Sequence, residues 1–380
     1  MKKYIYLDNA ATTQVKEAVL QSMLPFFREI YGNPSADYAF AREAKEAVEK
    51  ARVKIASLIG AKADEIFFTS GGSESDNWAL KAVAEANEHK GKHIITSKIE
   101  HHAILHTCEY LEKKGYEITY LDVDQDGKIR PDELEKSIRN DTILISVMAA
   151  NNEIGTIEPI TEIGRIAHER GVLFHTDAVQ AYGHIPLNVT DMNTDLLSAS
   201  GHKFGGPKGV GFLYVREGVG ISSFIHGGAQ ERSRRAGTYN TPGIVGMGEA
   251  AAIAKVKMEE NLRKQTLLRD YLIGRVLREI PDVRLNGHRY DRLPGNANFS
   301  FASVKSASLL ILLNKFGICA SGGSACTSGS TEPSHVLTAI GLSRDIAEGA
   351  LRLTLSEETD KEEIDFVVDN LKEITERLRN

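Results

Sequence analysis

The residue with the clearest chemical potential is a lysine in a glycine-rich segment. Lys203 lies within residues 198–211, between an apolar run at 195–197 and another at 211–215. That order predicts a strand, a polar loop and a second strand. A lysine amine in such a loop can form a Schiff base if desolvation or a neighbouring cation lowers its pKa. The alternative is an ordinary solvated lysine, which is the common state of this residue.

Two sets of polar residues could bind an anion such as phosphate. Ser200 and His202 stand beside the lysine and can donate hydrogen bonds. The turn 70–77 follows a strand expected at 65–69 and precedes a helix expected from near Trp78. Free N–H groups at a helix N-terminus attract anions, although a plain strand–turn–helix connection with serine as N-cap fits the same residues. The turn has the spacing of neither a dinucleotide fingerprint nor a P-loop.

Three further polar residues follow predicted strands. They are His101, Asn152 and Asp177. Ligands of open α/β sheets bind at the carboxyl ends of the strands, so these side chains are expected to share one crevice with Lys203. An aspartate there can pair with a pyridinium nitrogen, or simply cap the next helix. The whole set matches pyridoxal phosphate, because phosphate, ring, phenolic oxygen, pyridine nitrogen and aldehyde each have a candidate partner.

The elements that position these residues indicate an α/β fold. About seven strands alternate with helices between Ile66 and Val215. A polar loop and a long helix expected over 244–280 then lead to a second region of mixed strands and helices. We predict a large cofactor-binding domain over 14–255 and a small domain formed by 1–13 and 256–380.

A cysteine of the second region has unusual surroundings. Cys326 lies among small and polar residues in 320–334, a composition typical of an exposed, mobile loop. Free cysteines are usually buried. Cys108, in a predicted helix, and Cys319, in an apolar strand, fit that rule. Cys326 does not fit it, which favours a reactive thiol.

Two patterns suggest metal binding, but neither is complete. Residues 122–133 satisfy the calcium-loop pattern D-x-D-x-D-G-x5-E. The preceding residues 116–121 alternate like a strand, whereas a calcium-binding EF-hand needs an incoming helix. His102 and His106 have i, i+4 spacing without an apparent third ligand. We therefore assign no metal ligand.

Composition excludes several classes of function. The 380 residues are 42% hydrophobic and 26% charged, enough for two domains with sizeable cores. A net charge of −6 gives no support for nucleic acid or an anionic membrane as partner. No apolar run approaches the roughly 18 residues of a membrane span, and the first residues lack a signal-peptide core. Three cysteines suit a reducing compartment, so we expect a cytoplasmic protein.

Together these stretches resemble the cysteine desulfurases of the NifS/IscS type, a branch of the class V aminotransferases. The resemblance runs over nearly the whole chain, and the long cysteine loop is similar to that of the iron–sulfur-assembly group. Its most specific pieces are SGHK at 200–203, GGSACTS at 322–328, HGG at 226–228 and RAGT at 235–238. Ser73 stands where the family usually has threonine, and Ala36 and Tyr38 stand where it often has serine and histidine.

The resemblance implies the pyridoxal-phosphate fold type I, with a mainly parallel seven-stranded sheet flanked by helices and a smaller α+β domain that carries the cysteine loop. It also implies roles for individual residues: Lys203 binds the cofactor covalently; Gly72, Ser73, Ser200 and His202 hold its phosphate, with Thr238 from the other subunit of a homodimer; His101 stacks on the ring and moves protons; Asn152 and Gln180 bond the ring oxygen or the substrate carboxylate; Asp177 pairs with the ring nitrogen; Arg352 clamps the substrate carboxylate.

The implied activity is conversion of L-cysteine to L-alanine, with the sulfur left as a persulfide on Cys326. A sulfur acceptor or an iron–sulfur scaffold protein would take it up, and Cys326 could touch a cluster transiently. One alternative is a related pyridoxal-phosphate aminotransferase or a selenocysteine lyase, which would not need the cysteine loop. An alternative from another class is a non-catalytic assembly partner or a calcium-binding module that uses the loop at Asp122.

Overall fold

The computed structural model describes residues 4–322 and 333–380, in which strands and helices alternate along most of the chain. The strands are β1 (Ile5–Tyr6), β2 (Ile66–Thr69), β3 (His93–Ser97), β4 (Glu117–Leu121), β5 (Thr142–Ser146), β6 (Leu173–Asp177), β7 (Leu196–Ser200), β8 (Gly211–Val215), β9 (Val283–Asn286), β10 (Asn296–Phe301), β11 (Ile318–Cys319) and β12 (Ala350–Thr354). The helices are α1 (Glu17–Met23), α2 (Pro25–Arg28), α3 (Ala39–Leu58), α4 (Gly72–Asn87), α5 (His102–Glu112), α6 (Pro131–Ser137), α7 (Ile160–Glu169), α8 (Thr241–Glu279), α9 (Ser306–Lys315), α10 (His335–Ala339), α11 (Arg344–Ala347) and α12 (Lys361–Arg379).

A seven-stranded sheet confirms the predicted architecture of the larger part. Its strand order is β2-β8-β7-β6-β5-β3-β4, and β8 is antiparallel to both of its neighbours while the other strands share one direction. The inner strands β3, β5, β7 and β8 are buried along their whole length. Strands covered on both faces need nearly continuous runs of small or apolar residues, which is why the sequence pattern identified them.

The start of α4 differs from the prediction. The helix was expected to begin near Trp78, but it begins at Gly72. The reason is local hydrogen bonding, since the Glu74 carboxylate accepts from the Ser70 backbone N–H at 2.8 Å and closes the first turn. The polar residues 73–77 therefore lie inside the helix, and the glycine turn shrinks to residues 70 and 71.

Separate hydrophobic cores fill the two parts of the molecule. One includes Val19, Ile163, Phe174 and other side chains on one face of the large sheet. Another contains Leu7 and side chains from 272 to 374, under the antiparallel sheet β12-β10-β9. Helix α8 contributes to both cores. The predicted boundary at residue 255 falls inside α8.

The N-terminal segment connects the two parts. Strand β1 pairs in parallel with β11 of the small part. The chain then crosses to the large part, where the Thr13 backbone N–H donates to the His202 carbonyl at 2.9 Å. Residues 8–12 consequently run past the carboxyl end of β7. Within the described ranges, no helix has the length and apolarity needed to span a bilayer.

Candidate active site

A cavity of about 300 Å³ opens at the carboxyl ends of the central parallel strands. We call it the cofactor cavity. Ten of the residues predicted for the site line it together: Gly72, Ser73, His101, Asn152, Asp177, Gln180, Ser200, His202, Lys203 and Arg352. They come from segments separated by up to 280 residues, so their convergence is a property of the fold.

Lys203 is held in place by the N-terminal segment. It ends a short 3-10 turn over Gly201–Lys203, directly after β7. Its Nζ donates to the carbonyl oxygens of Ala10 at 2.6 Å and Ala11 at 2.9 Å. The His184 Nε2–H donates to the Lys203 carbonyl at 2.8 Å and fixes the turn from the other side. The amine is therefore directed into the cavity's edge by backbone contacts.

Asp177 supplies the negative charge of the cavity. It is the last residue of β6, and its Oδ1 accepts from the Val179 backbone N–H at 2.8 Å. Burial raises the pKa of Asp177 to about 6, while the Val179 hydrogen bond and the charge of Lys203 oppose that rise. At neutral pH the carboxylate is ionised, and it can hold a proton on a ring nitrogen.

Two other buried carboxyl groups accompany Asp177, and the sequence analysis missed both. Burial and the nearby charge of Asp177 raise the pKa of Asp76. Burial raises the pKa of Glu100 to about 8 against hydrogen bonds from Ser97 and Met148. The Glu100 carboxyl is therefore largely protonated at pH 7, and the pKa of Asp76 is shifted in the same direction. Asp76, which lines the cavity, follows Ser73 by three positions on α4, and that helical spacing was the available signal.

His101 is the N-cap of α5. Its Nδ1 accepts from the Ala103 backbone N–H at 3.1 Å. Burial, together with the charges of Lys203 and neighbouring histidines, lowers the pKa of His101 to about 4. The ring is therefore neutral, and because Nδ1 is an acceptor its proton sits on Nε2.

A second cavity, of about 400 Å³, adjoins the N-terminus of α4. We call it the phosphate cavity. Gly72, Ser73, Ser200 and His202 line both cavities. A Cβ on Gly72 would lie 2.5 Å from Val179 Cγ2, so a larger residue there requires Val179 to move. Thr12 and Lys208 also line the phosphate cavity and were not predicted, since neither stands in a motif with an assigned role.

These groups fit the proposed cofactor. The N-terminus of the 16-residue helix α4 offers backbone N–H groups and a positive dipole end to a phosphate. An amine, an ionised aspartate and a neutral histidine surround the adjoining space, whose volume suits a small molecule. The residues present therefore fit pyridoxal 5'-phosphate.

Arg352 joins three parts of the chain at the far side of the cofactor cavity. It lies on β12 and is 1% exposed. Its Nη1 donates to the Asn152 carbonyl at 2.9 Å, and its Nη2 donates to Asp8 Oδ1 at 2.8 Å. Its Nε is buried without a hydrogen-bond partner among the described residues. A guanidinium with an unused donor is suited to a small carboxylate.

The remaining predicted residues have different surroundings. The Gln180 side-chain amide already donates to the Ala10 carbonyl at 3.0 Å. Thr238 is exposed and is not among the residues lining either cavity. Cys326 lies outside the described residues. Cys108 is buried as expected, whereas Cys319 is partly exposed.

The two metal patterns are occupied by other contacts. The segment entering residues 122–133 is β4, a strand as predicted, and Asp122 pairs with Lys98 at 2.6 Å. The rings of His102 and His106 stack with centroids 5.0 Å apart. Across residues 4–322 and 333–380 there is no group of three His, Cys, Asp or Glu side chains arranged to hold a metal ion.

Comparison with known proteins decides the family. The family model described as aminotransferase class-V matches residues 5–367. The chain belongs to the class-V aminotransferases. Pyridoxal 5'-phosphate is the cofactor of that family, in agreement with the cavity, and its enzymes have the fold type I architecture described above.

Relatives of this class-V aminotransferase cover nearly its full length. It is 56% identical over 378 residues to the cysteine desulfurase IscS of Methanosarcina thermophila, covering 100% of this chain and 93% of the relative. A solved structure described as a NifS-like protein superposes with a TM-score of 0.92 at 42% identity, over 99% of both chains. A second, described as SspA in complex with cysteine, has a TM-score of 0.82 at 39% identity, over 93% of this chain and 99% of that one.

Proposed function

We propose that this class-V aminotransferase is a cysteine desulfurase, which converts L-cysteine to L-alanine and transfers the sulfur to Cys326. The observation that carries the proposal is the convergence of Lys203, Asp177 and Arg352 on one cavity. The curated relatives described as cysteine desulfurases support it at 56% identity. The structure bound to cysteine supports the choice of substrate.

The residues divide the work on the cofactor. Pyridoxal phosphate supplies an aldehyde that bonds covalently to amines and a ring that withdraws electrons from the carbon next to the amine. Lys203 would hold the cofactor through its amine. Asp177 keeps the ring nitrogen protonated, and the N-terminus of α4 with Ser73, Ser200 and His202 holds the phosphate.

Arg352 orients the substrate. Arg352 lines the cofactor cavity, and its guanidinium, whose Nε has no partner among the described residues, can bind the carboxylate of cysteine. Asp8 and the Asn152 carbonyl fix the guanidinium plane through its other nitrogens. The side chain is thereby preorganised, which limits the entropy lost when substrate binds.

Two groups handle the proton transfers, one as a base and the other as an acid. With its amine free, Lys203 would be the base that takes the α-proton of cysteine. His101 carries its proton on Nε2 and has Nδ1 engaged by α5. It therefore acts as a hydrogen-bond donor or acid towards the cavity, and Lys203 is the base.

The transfer of sulfur from cysteine needs only one thiol of the protein for its atoms and electrons to balance. The Cys326 thiolate attacks the substrate Sγ, an S–S bond forms, the Cβ–S bond breaks, and Cβ receives a proton. The products are alanine and a Cys326 persulfide, without external oxidant or reductant. A thiol of an acceptor protein can then take the outer sulfur by exchange.

The assembly we propose is a cytoplasmic homodimer that delivers sulfur to an acceptor or iron–sulfur scaffold protein. Thr238 is exposed and lies three residues after Arg235, which forms a mostly shielded ion pair with Glu74. That position suits a side chain that completes the phosphate site of a second subunit. The described cysteines, Cys108 and Cys319, are unpaired, in keeping with a reducing compartment.

Borohydride trapping tests the cofactor assignment. Reduction of the purified, yellow protein followed by digestion is expected to give a pyridoxyl group on the peptide that carries Lys203. A colourless protein with no pyridoxyl group on that lysine would remove the basis of the proposal.

Product analysis tests the reaction. The variant Cys326→Ser is expected to keep the visible absorbance of the bound cofactor and to lose alanine formation from L-cysteine. Alanine at the wild-type rate in that variant would exclude the thiol step. Preference for selenocysteine over cysteine, or formation of a keto acid, would favour the lyase or aminotransferase alternative instead.

A further inference from the structure

A single ion pair connects the phosphate cavity with the loop that carries Thr238. Arg235 Nε donates to Glu74 Oε1 at 2.8 Å, and Arg235 Nη2 donates to Glu74 Oε2 at 3.1 Å. The pair is mostly shielded, since the Glu74 side chain is 11% exposed and that of Arg235 is 20% exposed. Two parallel hydrogen bonds make it geometrically specific.

Glu74 holds the turn that precedes the phosphate cavity. It is the third residue of α4, lines the cavity, and accepts from the Ser70 backbone N–H at 2.8 Å. Burial alone raises the pKa of Glu74, but hydrogen bonds from Arg235 and Ser70 lower it overall. The carboxylate is therefore ionised next to a site for an anion, where an unneutralised negative charge would repel phosphate.

Arg235 removes that repulsion and at the same time anchors its own loop. The neighbouring Ala236 N–H donates to the Ile225 carbonyl at 3.0 Å. A second anchor lies upstream, where the Glu231 carboxylate accepts from the Phe68 backbone N–H of β2 at 2.7 Å. Arg235 thus attaches the loop to α4, and Glu231 attaches it to β2.

We propose that Glu74 and Arg235 are positioning residues for the cofactor phosphate, and that Arg235 acts on two sites: its own through Glu74, and that of a second subunit through Thr238. The inference rests on the proposed function. It assigns to an ion pair, and not to a direct ligand, the control of phosphate affinity.

Comparison of two aldehydes tests this role. After removal of the cofactor, the full-length variants Glu74→Gln and Arg235→Gln are titrated with pyridoxal phosphate and with pyridoxal, which lacks the phosphate. Arg235→Gln, which leaves the Glu74 carboxylate without its cation, is expected to bind pyridoxal phosphate about tenfold more weakly than wild type, and Glu74→Gln, which removes that carboxylate, is expected to lose less. Pyridoxal binding is expected to stay within about twofold, because the pair does not touch the ring or Lys203.

Controls separate positioning from folding. Arg235→Lys keeps the charge without the fork and is expected to lose less affinity than Arg235→Gln. The double variant is expected to be weaker by less than the product of the two single effects, since the two residues act as one unit. Unchanged affinity for pyridoxal phosphate, or equal losses for both aldehydes, would overturn the proposal. Wild type that binds neither aldehyde would instead contradict the proposed function.

Mixed dimers separate the two sites. In each dimer one subunit carries Lys203→Ala, so that borohydride traps cofactor on the other subunit alone. Arg235→Gln is then placed either on the subunit that retains Lys203 or on its partner. Both placements are expected to lower trapping at limiting cofactor; a loss confined to the first would refute the action across subunits.

Discussion

At the scale of single residues, the two ring nitrogens of His101 have different roles. Its Nδ1 caps α5 while its Nε2–H belongs to the cofactor cavity. Protonation at Nδ1 would break the cap, which fits the low pKa of about 4. A histidine at a helix N-terminus is thus held in one tautomer by the backbone that it caps.

Two substitutions can separate the helix-capping role of Nδ1 from the donor role of Nε2. His101→Asn places an amide oxygen near Nδ1 and is expected to keep the cap, while His101→Gln places a donor near Nε2 and is expected to cost about 1 kcal/mol of stability through the lost cap. Alanine formation should fall by about 100-fold or more in the Asn variant and by less in the Gln variant. Urea unfolding and single-turnover kinetics measure the two effects, and the opposite ranking in either would contradict the assignment.

Glu100 makes a prediction about pH. The unfolded carboxyl ionises near pH 4.5, whereas the folded one keeps its proton to about pH 8. The folded state therefore binds more protons across this interval, so the free energy of unfolding falls as pH rises, by at most about 1.4 kcal/mol per pH unit. Glu100→Gln preserves the acceptor of the Ser97 and Met148 hydrogen bonds.

We expect that variant to lose less stability than wild type between pH 5 and pH 8. Denaturant unfolding at several pH values measures the slopes. Parallel curves for the two proteins would show that Glu100 is ionised in the folded state.

The residues that sequence could identify were those in motifs with a known order along the chain. Lys203, Asp177 and Arg352 were predicted and do share the cofactor cavity. Asp76 and Glu100 were missed because their importance comes from burial beside Asp177, a contact between distant segments. The exposed position of Thr238 leaves its role a prediction.

At the scale of elements, the first turn of α4 depends on close packing against the segment after β6. A Cβ at Gly72 would meet Val179 Cγ2 at 2.5 Å. We expect Gly72→Ala to destabilise the protein by about 1–3 kcal/mol and to weaken cofactor binding. Val179→Ala removes the obstructing methyl groups, so the double variant should recover affinity relative to Gly72→Ala. Cofactor titration distinguishes the cases; no recovery would locate the cost elsewhere.

The free edge of β2 is covered by a buried ion pair. Arg52 Nη2 donates to Glu231 Oε1 at 2.8 Å, and Arg52 Nη1 donates to the Ile66 carbonyl at 2.8 Å. Both side chains of the pair are 2% exposed. The outward-facing backbone groups of this edge strand are thereby hydrogen-bonded within the molecule. The strand therefore offers no free edge for another chain to pair with.

Removal of one partner should be costly. We expect Arg52→Ala to lower the free energy of unfolding by about 3–5 kcal/mol, because Glu231 would remain buried without its ion-pair partner. Lys50→Ala, on the same helix but exposed, is the control and should change it by less than about 0.5 kcal/mol. Equal effects in urea unfolding would show that the buried pair contributes nothing specific.

Elements with a clear periodicity were predictable, and those set by tertiary contacts were less so. About seven strands were expected between Ile66 and Val215, where the structure has β2 to β8, and the helix expected over 244–280 is α8. The start of α4 was wrong by six residues, since it depends on the Glu74–Ser70 hydrogen bond. Strand β9 was not predicted, because its four residues, Val-Arg-Leu-Asn, are too few to show a periodic pattern. Its extended conformation depends on pairing with β10.

At the scale of the whole molecule, the two cores are connected through α8. Ile244 and Met247 pack in the core of the large part, and Leu272 and Val276 pack in that of the small part. Between them Val256 is 81% exposed. A continuous helix should make the two cores unfold together.

Interruption of that helix tests the coupling. Val256→Gly is expected to cost about 0.5–1 kcal/mol and to separate the loss of cofactor absorbance from the loss of helical circular dichroism. Val256→Ala, a better helix former at the same exposed position, should keep both signals coincident. Coincident transitions in the glycine variant would mean that contacts other than α8 couple the cores.

The path of the first dozen residues has a consequence for synthesis on the ribosome. Ile5 pairs with Ile318, and Asp8 binds Arg352, so the earliest part of the chain must await some of the last. At about 5–20 residues per second, that delay is roughly 15–60 s. Until then the cofactor cavity of the nascent chain is incomplete, because the carbonyl groups of Ala10 and Ala11 do not yet accept hydrogen bonds from the Lys203 amine. Maturation of the enzyme is therefore expected to be a post-translational event.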